Sequence, residues 1–148
     1  MTVWVFPIKP LFAAQIYSGH KRYELRRRVR VSRGDLIVLY ETAPVKALTG
    51  EFTAGEVVLR PAEAVRRDIA AGLLRGCDER DLPYVGLRGL VAVIEVCAPR
   101  VYLEPITLNE LRKLSIRLRL RGPFRADRYP ELVRLIESRR EADTTLRA

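Results

Sequence analysis

Hydrophobic and polar positions divide the chain into short segments of two different periods. Val3, Val5 and Ile8 read as a first strand that gives out between Pro7 and Pro10, because proline lacks the donor a central strand needs. Ile8, Leu11, Phe12 and Ile16 then recur at helical spacing, with Pro10 suited to the first turn and Gly19 placed for a left-handed C-terminal cap. From Arg22 the period falls to two. Tyr23, Leu25, Val29 and Val31 make one apolar face, and Arg22, Glu24, Arg26, Arg28 and Arg30 make a charged one. After a turn at Arg33, Gly34 and Asp35, the unbroken apolar run from Leu36 to Tyr40 predicts a strand buried on both faces.

Beyond a loop over 41–44, a strand is expected over 47–59, with Gly50 and Gly55 marking bulges or tight bends. Pro61 opens a second helix in which Val65, Ile69 and Leu73 repeat before Gly76 ends it, and 78–86 reads as a polar loop. A strand over 90–96 is extended by 101–103 after a break at Pro99. Thr107 and Glu110 form a capping box that starts a short third helix with Leu108, Leu111 and Leu114 on its inner face. Ile116, Leu118 and Leu120 alternate with Arg117, Arg119 and Arg121, which predicts a strand carrying three guanidiniums on one face. Pro130 begins a last helix with Leu132, Val133, Leu135 and Ile136, and a frayed tail is expected over 141–148. The pattern is that of an α+β fold, a small sheet or barrel of about five to seven strands flanked by helices.

A length of 148 residues with 48% hydrophobic content suits one domain with one substantial core, expected over 1–140. Charge changes the picture more. The 27 basic residues against 18 acidic give a formal charge of +9, which points to a polyanionic partner: nucleic acid, an acidic protein or a membrane face. Of the basic residues 23 are Arg, whose planar fork grips phosphate bidentately and stacks on bases. A GC-rich genome or a heat-adapted proteome explains the same excess, and Asn109 and Gln15 are the single residues of their types. No stretch approaches the roughly 18 to 20 uncharged apolar residues that span a bilayer, and the N-terminus has no basic lead, so a cytoplasmic, membrane-free protein is expected. Cys77 and Cys97 are too few for a disulfide scaffold and lack zinc-ligand spacing; each reads as a buried thiol, with one disulfide open to a hyperthermophile.

The candidate chemistry gathers at Gly19–His20–Lys21–Arg22–Tyr23–Glu24–Leu25–Arg26. Gly19 lets the chain reverse, which sets Lys21 at the exit of the turn and Glu24 and Arg26 on one strand face. A carboxylate between two guanidiniums can orient one of them by charge-assisted hydrogen bonding and leave its other donors for a ligand. The plainer reading is a solvated basic edge that charge protects from aggregation. His20, the single histidine, is expected to be exposed in its turn, and Trp4, Phe6 and Tyr23 to be core. Tyr40 ends a buried strand, at a rim where a stacking residue would serve. Arg117, Arg119 and Arg121 read as a solvated face that would extend a phosphate track if it adjoined the site. P-loop, Ser/His/Asp, dinucleotide and metal-ligand motifs are absent from the sequence, so no cofactor and no metal is expected.

The eight residues from Gly19 to Arg26 resemble the G-x-K-x-x-E-x-R signature of ASCH domains, which belong to the PUA-like superfamily of small β-barrels. The resemblance extends to Lys9–Pro10, Gly34–Asp35, Tyr40 with Pro44, Gly50 and the segment from Pro105 to Leu111, and so covers most of 3–114. It implies a PUA-like pseudo-barrel with a cleft lined by the helix-to-strand turn and by Lys21, Glu24 and Arg26, suited to RNA or a nucleotide. The expected binding set is Lys9, Gly19, Lys21, Glu24, Arg26, Arg28, Tyr40 and Thr42. The implied role is RNA binding, in translation or its regulation. Some members of the family are hydrolases acting on N4-acetylcytidine or RNA, and a hydrolase is the alternative expectation, with Lys21 and Glu24 as acid–base pair. The amidohydrolase type carries a Thr nucleophile three residues after the motif lysine; here that position is Glu24, which argues against the same mechanism. A regulatory adaptor for an acidic protein is the third reading.

Overall fold

The computed structural model describes residues 1–147, with side chains through Asp143. In chain order it contains β1 (Val3–Ile8), α1 (Pro10–Tyr17), β2 (Tyr23–Arg27), β3 (Leu36–Glu41), β4 (Ala47–Pro61), α2 (Ala62–Ala70), α3 (Leu82–Val85), β5 (Leu90–Thr107), α4 (Leu108–Arg112), β6 (Phe124–Arg125) and α5 (Pro130–Arg147), with a single 3-10 turn before α3 and another before α5. The six strands form one curled sheet in the order β2, β5, β4, β3, β1, β6. β1 and β3 run parallel, and the remaining neighbours are antiparallel. This is an α+β pseudo-barrel of the expected kind.

The curl comes from the long β4–β5 pair. Its register slips between Leu48 and Gly50, between Glu51 and Thr53 and between Ala54 and Val57, and each slip adds local twist. Gly50 permits the first of these, because a Cβ there would strike the carbonyl of Arg100 and the hydroxyl of Tyr17. The break expected at Pro99 is a bend instead: β5 runs through it with Ala98 in the left-handed region at φ 47°.

β3 is buried on both faces, as its unbroken apolar run predicts. Ile37 and Leu39 join Phe6, Ile16, Phe52 and Ile94 beneath α1, while Val38 and Tyr40 join Leu48, Ile106, Leu132 and Ile136 beneath α5. A third cluster sets Leu25 against Val65 and Ile69 of α2 and Val85 of α3. Trp4 and Tyr23 pack partly buried against these clusters, and Phe6 is fully enclosed.

Three expectations are corrected. Residues 115–121 form no strand; Ile116, Leu118 and Leu120 do turn inward against the α5 cluster, but no neighbouring backbone offers them a ladder. The second helix ends at Ala70, short of Gly76, because the chain turns at Gly72 with φ +72°. The polar loop over 78–86 contains a capped 3-10 turn and α3. α5 runs to Arg147, and within it Asp143 is buried, accepts the Leu103 N–H at 2.9 Å and meets Arg100 at 3.3 Å. Ala148 lies outside the described residues. Cys77 is buried and Cys97 half-buried, and both are free thiols.

Candidate nucleic-acid interface

α1 builds one wall of the site. Pro10 fills its first turn and Phe12, Ala13 and Ile16 turn toward the sheet. Gly19, at φ +83°, then reverses the chain, and the Lys21 N–H bonds back to the Gln15 carbonyl at 2.9 Å. That reversal drives the Lys21 side chain inward, where its exposure is 0%. Its ammonium donates to Asp81 and, at 3.7 Å, to Cys77 Sγ, and it stands 5.1 Å from the Phe12 ring centroid. Asp81 is itself held by the 3-10 turn, where its other oxygen accepts the Asp78 N–H at 2.9 Å in a capping box.

Burial opposes the Lys21 charge most strongly, yet Glu24, Cys77 and Asp81 together outweigh it and raise the ammonium above its ordinary 10.5. Lys21 therefore keeps its proton across the neutral range. The condition for a Lys21–Glu24 acid–base pair, a pKa brought toward neutrality, is not met at Lys21.

β2 supplies Glu24 and Arg26, two residues apart and so on one face. That face points into the fold, not to solvent: Glu24 is 5% exposed and Arg26 is partly buried. Glu24 Oε1 accepts the Leu25 N–H at 3.0 Å, and Oε2 lies 3.5 Å from the Arg26 guanidinium without a hydrogen-bond partner. Arg26 Nη2 donates to the Pro7 carbonyl at 2.7 Å, and its guanidinium stacks 4.8 Å from the Phe6 ring centroid, while its Nε is also unpartnered.

These residues open onto a cavity of about 230 Å³ whose walls include Pro7, Ile8, Lys9, Phe12, Thr42, Asp81, Tyr84 and Arg121. Phe12 and Tyr84 meet edge to face at 5.6 Å, and Lys9 Nζ stands 5.9 Å from the Tyr84 ring. The cavity thus combines an aromatic corner with two carboxylates, Glu24 and Asp81, and two guanidiniums, Arg26 and Arg121.

Of the expected set, Lys9, Glu24, Arg26 and Thr42 line this cavity. Lys21 does not line it but stands behind two residues that do, Asp81 and Phe12, and Gly19 acts through the turn it makes. Tyr40 is 5% exposed and lines a neighbouring cavity. Arg28 stands apart: it takes φ +58° just past the end of β2, which breaks the period of two and leaves its side chain exposed. Val29 and Val31 consequently join the core beneath α1 instead of the cluster that holds Leu25. His20 is exposed. Sequence reasoning missed Asp81 and Tyr84. The Asp78-x-x-Asp81 spacing of a capping box was a signal for the first; nothing local marks the second. Arg121, expected to matter only if its face adjoined the site, does line the cavity.

No family model matches the chain, and no curated protein matches it. Solved structures do. The crystal structure of ASCH from Zymomonas mobilis is 21% identical over 93% of this chain and 94% of that one, with a TM-score of 0.77. A Pseudomonas putida protein is 13% identical over 93% of this chain and 99% of that one, with a TM-score of 0.57. The N-terminal domain of Staphylothermus marinus McrB is 13% identical over 89% and 92%, with a TM-score of 0.53. At such identities the likeness is one of fold. Among the described residues no helix is long and apolar enough to cross a membrane, and no three His, Cys, Asp or Glu side chains group as metal ligands.

Proposed function

We propose, from the premise that this chain has the fold of an ASCH domain, that it binds RNA and takes one unpaired base into the cavity at Glu24 and Arg26. The observation that carries this reading is the Glu24–Arg26 ion pair in the wall of a mainly apolar cavity, with neither Glu24 Oε2 nor Arg26 Nε in a hydrogen bond. Buried polar atoms are ordinarily satisfied, so a ligand that supplies an N–H to one and an acceptor to the other is favoured. A base edge with an exocyclic amino group beside a ring nitrogen or carbonyl does both, as carboxylates do when they accept from cytosine N4. Phe12 and Tyr84 offer apolar surface for the ring, and the +9 charge supplies sequence-independent attraction to phosphate.

The hydrolase alternative is weakened because Lys21 is fully buried, ion-paired with Asp81 and raised above 10.5, so it is a poor proton donor and no base at neutral pH. Binding of labelled single-stranded RNA homopolymers tests the leading reading. These tracts should bind at least tenfold more tightly than an abasic strand of equal length, which keeps the phosphates and lacks the base edge, and Glu24→Gln should narrow the difference. Affinity should also fall with salt, by roughly 0.7 in log affinity per log salt for each neutralised phosphate. Equal affinity for base-bearing and abasic strands together with a flat profile between about 50 and 300 mM salt would sink it.

A further inference from the structure

The cavity that holds Glu24 and Arg26 shares a wall with a second one, because Thr42 and Arg121 line both. The second is larger, about 550 Å³, with Tyr40, Leu108 and Leu118 on its apolar side and Lys46, Arg112 and Arg121 around it. All three cations are exposed, and among the described residues none of them forms an ion pair or a side-chain hydrogen bond. No acidic residue lines this cavity, whereas Glu24 and Asp81 line the first. The first cavity thus carries two carboxylates among its cations Lys9, Arg26 and Arg121, and the second carries cations alone. One side can accept N–H groups, and the other attracts an anion.

Local structure holds the cations there. Lys46 sits in the turn between β3 and β4 at φ +51°, and its carbonyl accepts the Leu108 N–H at 2.9 Å, which ties that turn to the first residue of α4. Arg112 closes α4, whose start is fixed by the Thr107–Glu110 capping box. Arg121 ends the segment whose inward residues Ile116, Leu118 and Leu120 pack against the α5 cluster. Three separate pieces of chain thus bring a guanidinium or ammonium to one rim.

We infer that this second cavity is a subsite for the nucleotide that adjoins the base held by Glu24 and Arg26. Its phosphate lies against Lys46, Arg112 and Arg121, and its ring or sugar lies on the apolar side with Tyr40. Arg121, on the shared wall, stands where the linking phosphate passes. The inference rests on the base-binding reading of the first cavity and narrows it: the ligand is a single strand of at least two nucleotides, and a free nucleoside fills only half of the site.

Calorimetric titration with cytidine, cytidine monophosphate, the CpC dinucleotide, inorganic phosphate and a short polyglutamate peptide tests it. The wild-type protein should bind CpC at least tenfold more tightly than cytidine. The double variant Lys46→Asn/Arg112→Gln, with its thermal unfolding unchanged, should lose that margin and keep its cytidine affinity. Equal affinity for cytidine and CpC in the wild type would overturn the subsite, as would a double variant that keeps the margin. Glu24→Gln separates the two readings. If it leaves cytidine binding unchanged while the double variant still loses binding of CpC and of phosphate, the base-binding reading falls and the anion subsite stands. Polyglutamate bound as tightly as CpC, and lost in the same double variant, would assign this rim to an acidic protein and overturn the nucleotide inference.

Discussion

Lys21 and Asp81, 60 residues apart in sequence, form an ion pair at the floor of the cavity with side-chain exposures of 0% and 5%. Its geometry depends on two independent turns, the Gly19 reversal after α1 and the capped 3-10 turn before α3, and it joins them. The ammonium also faces Glu24, whose carboxylate lines the cavity above it. The pair is therefore part of the fold and part of the electrostatic setting of the site at once.

Removing one partner should be far worse than removing both. Lys21→Met leaves Asp81 a buried carboxylate with a single backbone donor, and breaking a buried pair in this way costs about 3–5 kcal/mol. The double variant Lys21→Met/Asp81→Leu should recover part of that loss. Urea unfolding of the two single variants and the double variant measures the coupling directly, and additive losses would show that the two side chains do not interact.

Stability should fall in alkali from about pH 9 upward. Burial, opposed by Lys21, pushes the Cys77 thiol from 9.0 up to about 11, and Lys21 is raised above 10.5. Between pH 9 and 11 the unfolded chain releases the Cys77 proton while the folded chain keeps it, so each step up in pH favours the unfolded state. The Lys21 contribution has the same sign: it is complete below 10.5 and is lost as pH rises through the folded value. Unfolding curves at pH 7, 9 and 10.5 check this, and Cys77→Ala should flatten the first part of the decline.

Gly76 should not tolerate a side chain. It takes φ +85°, and a Cβ would collide with the carbonyl of His20 and the backbone of Lys21. The Arg75 carbonyl next to it accepts the Arg22 N–H at 3.0 Å, so the loop over 75–77 is seated directly on the motif. Gly76→Ala should destabilise the fold by at least about 1 kcal/mol from the left-handed backbone alone, and should weaken ligand binding by shifting Lys21. An unfolding midpoint equal to wild type would contradict the packing described.

The end of α5 should contribute to stability as well. Glu51, 4% exposed, accepts from Tyr102 Oη at 2.9 Å and from Arg140 Nε at 2.7 Å, and Asp143 accepts from Leu103 and pairs with Arg100. Asp143→Ala removes the acceptor of a part-buried N–H and should cost about 1–3 kcal/mol. Loss of amide protection at Leu103 in hydrogen exchange would locate the effect; unchanged protection and stability would support the view of 141–148 as a tail.

Much of this molecule was determined by local pattern. The two-sided burial of Leu36 to Tyr40, the helix between Pro10 and Gly19, the bends at Gly50 and Gly55 and the Thr107–Glu110 cap all follow from side-chain period and turn chemistry over a few residues. Glu24 and Arg26 on one strand face follow in the same way. What only the tertiary structure decided depends on groups distant in sequence. The alternation of 115–121 sets which side chains turn inward, but a strand also needs a neighbour's N–H and C=O groups, and none lies alongside. Arg28 left the charged face because the chain crosses there from one core cluster to another. Asp81 and Lys21 could be joined, and Asp143 and Arg100, only once folding brought opposite charges from separate elements together, since a buried charge is tolerable only beside its partner.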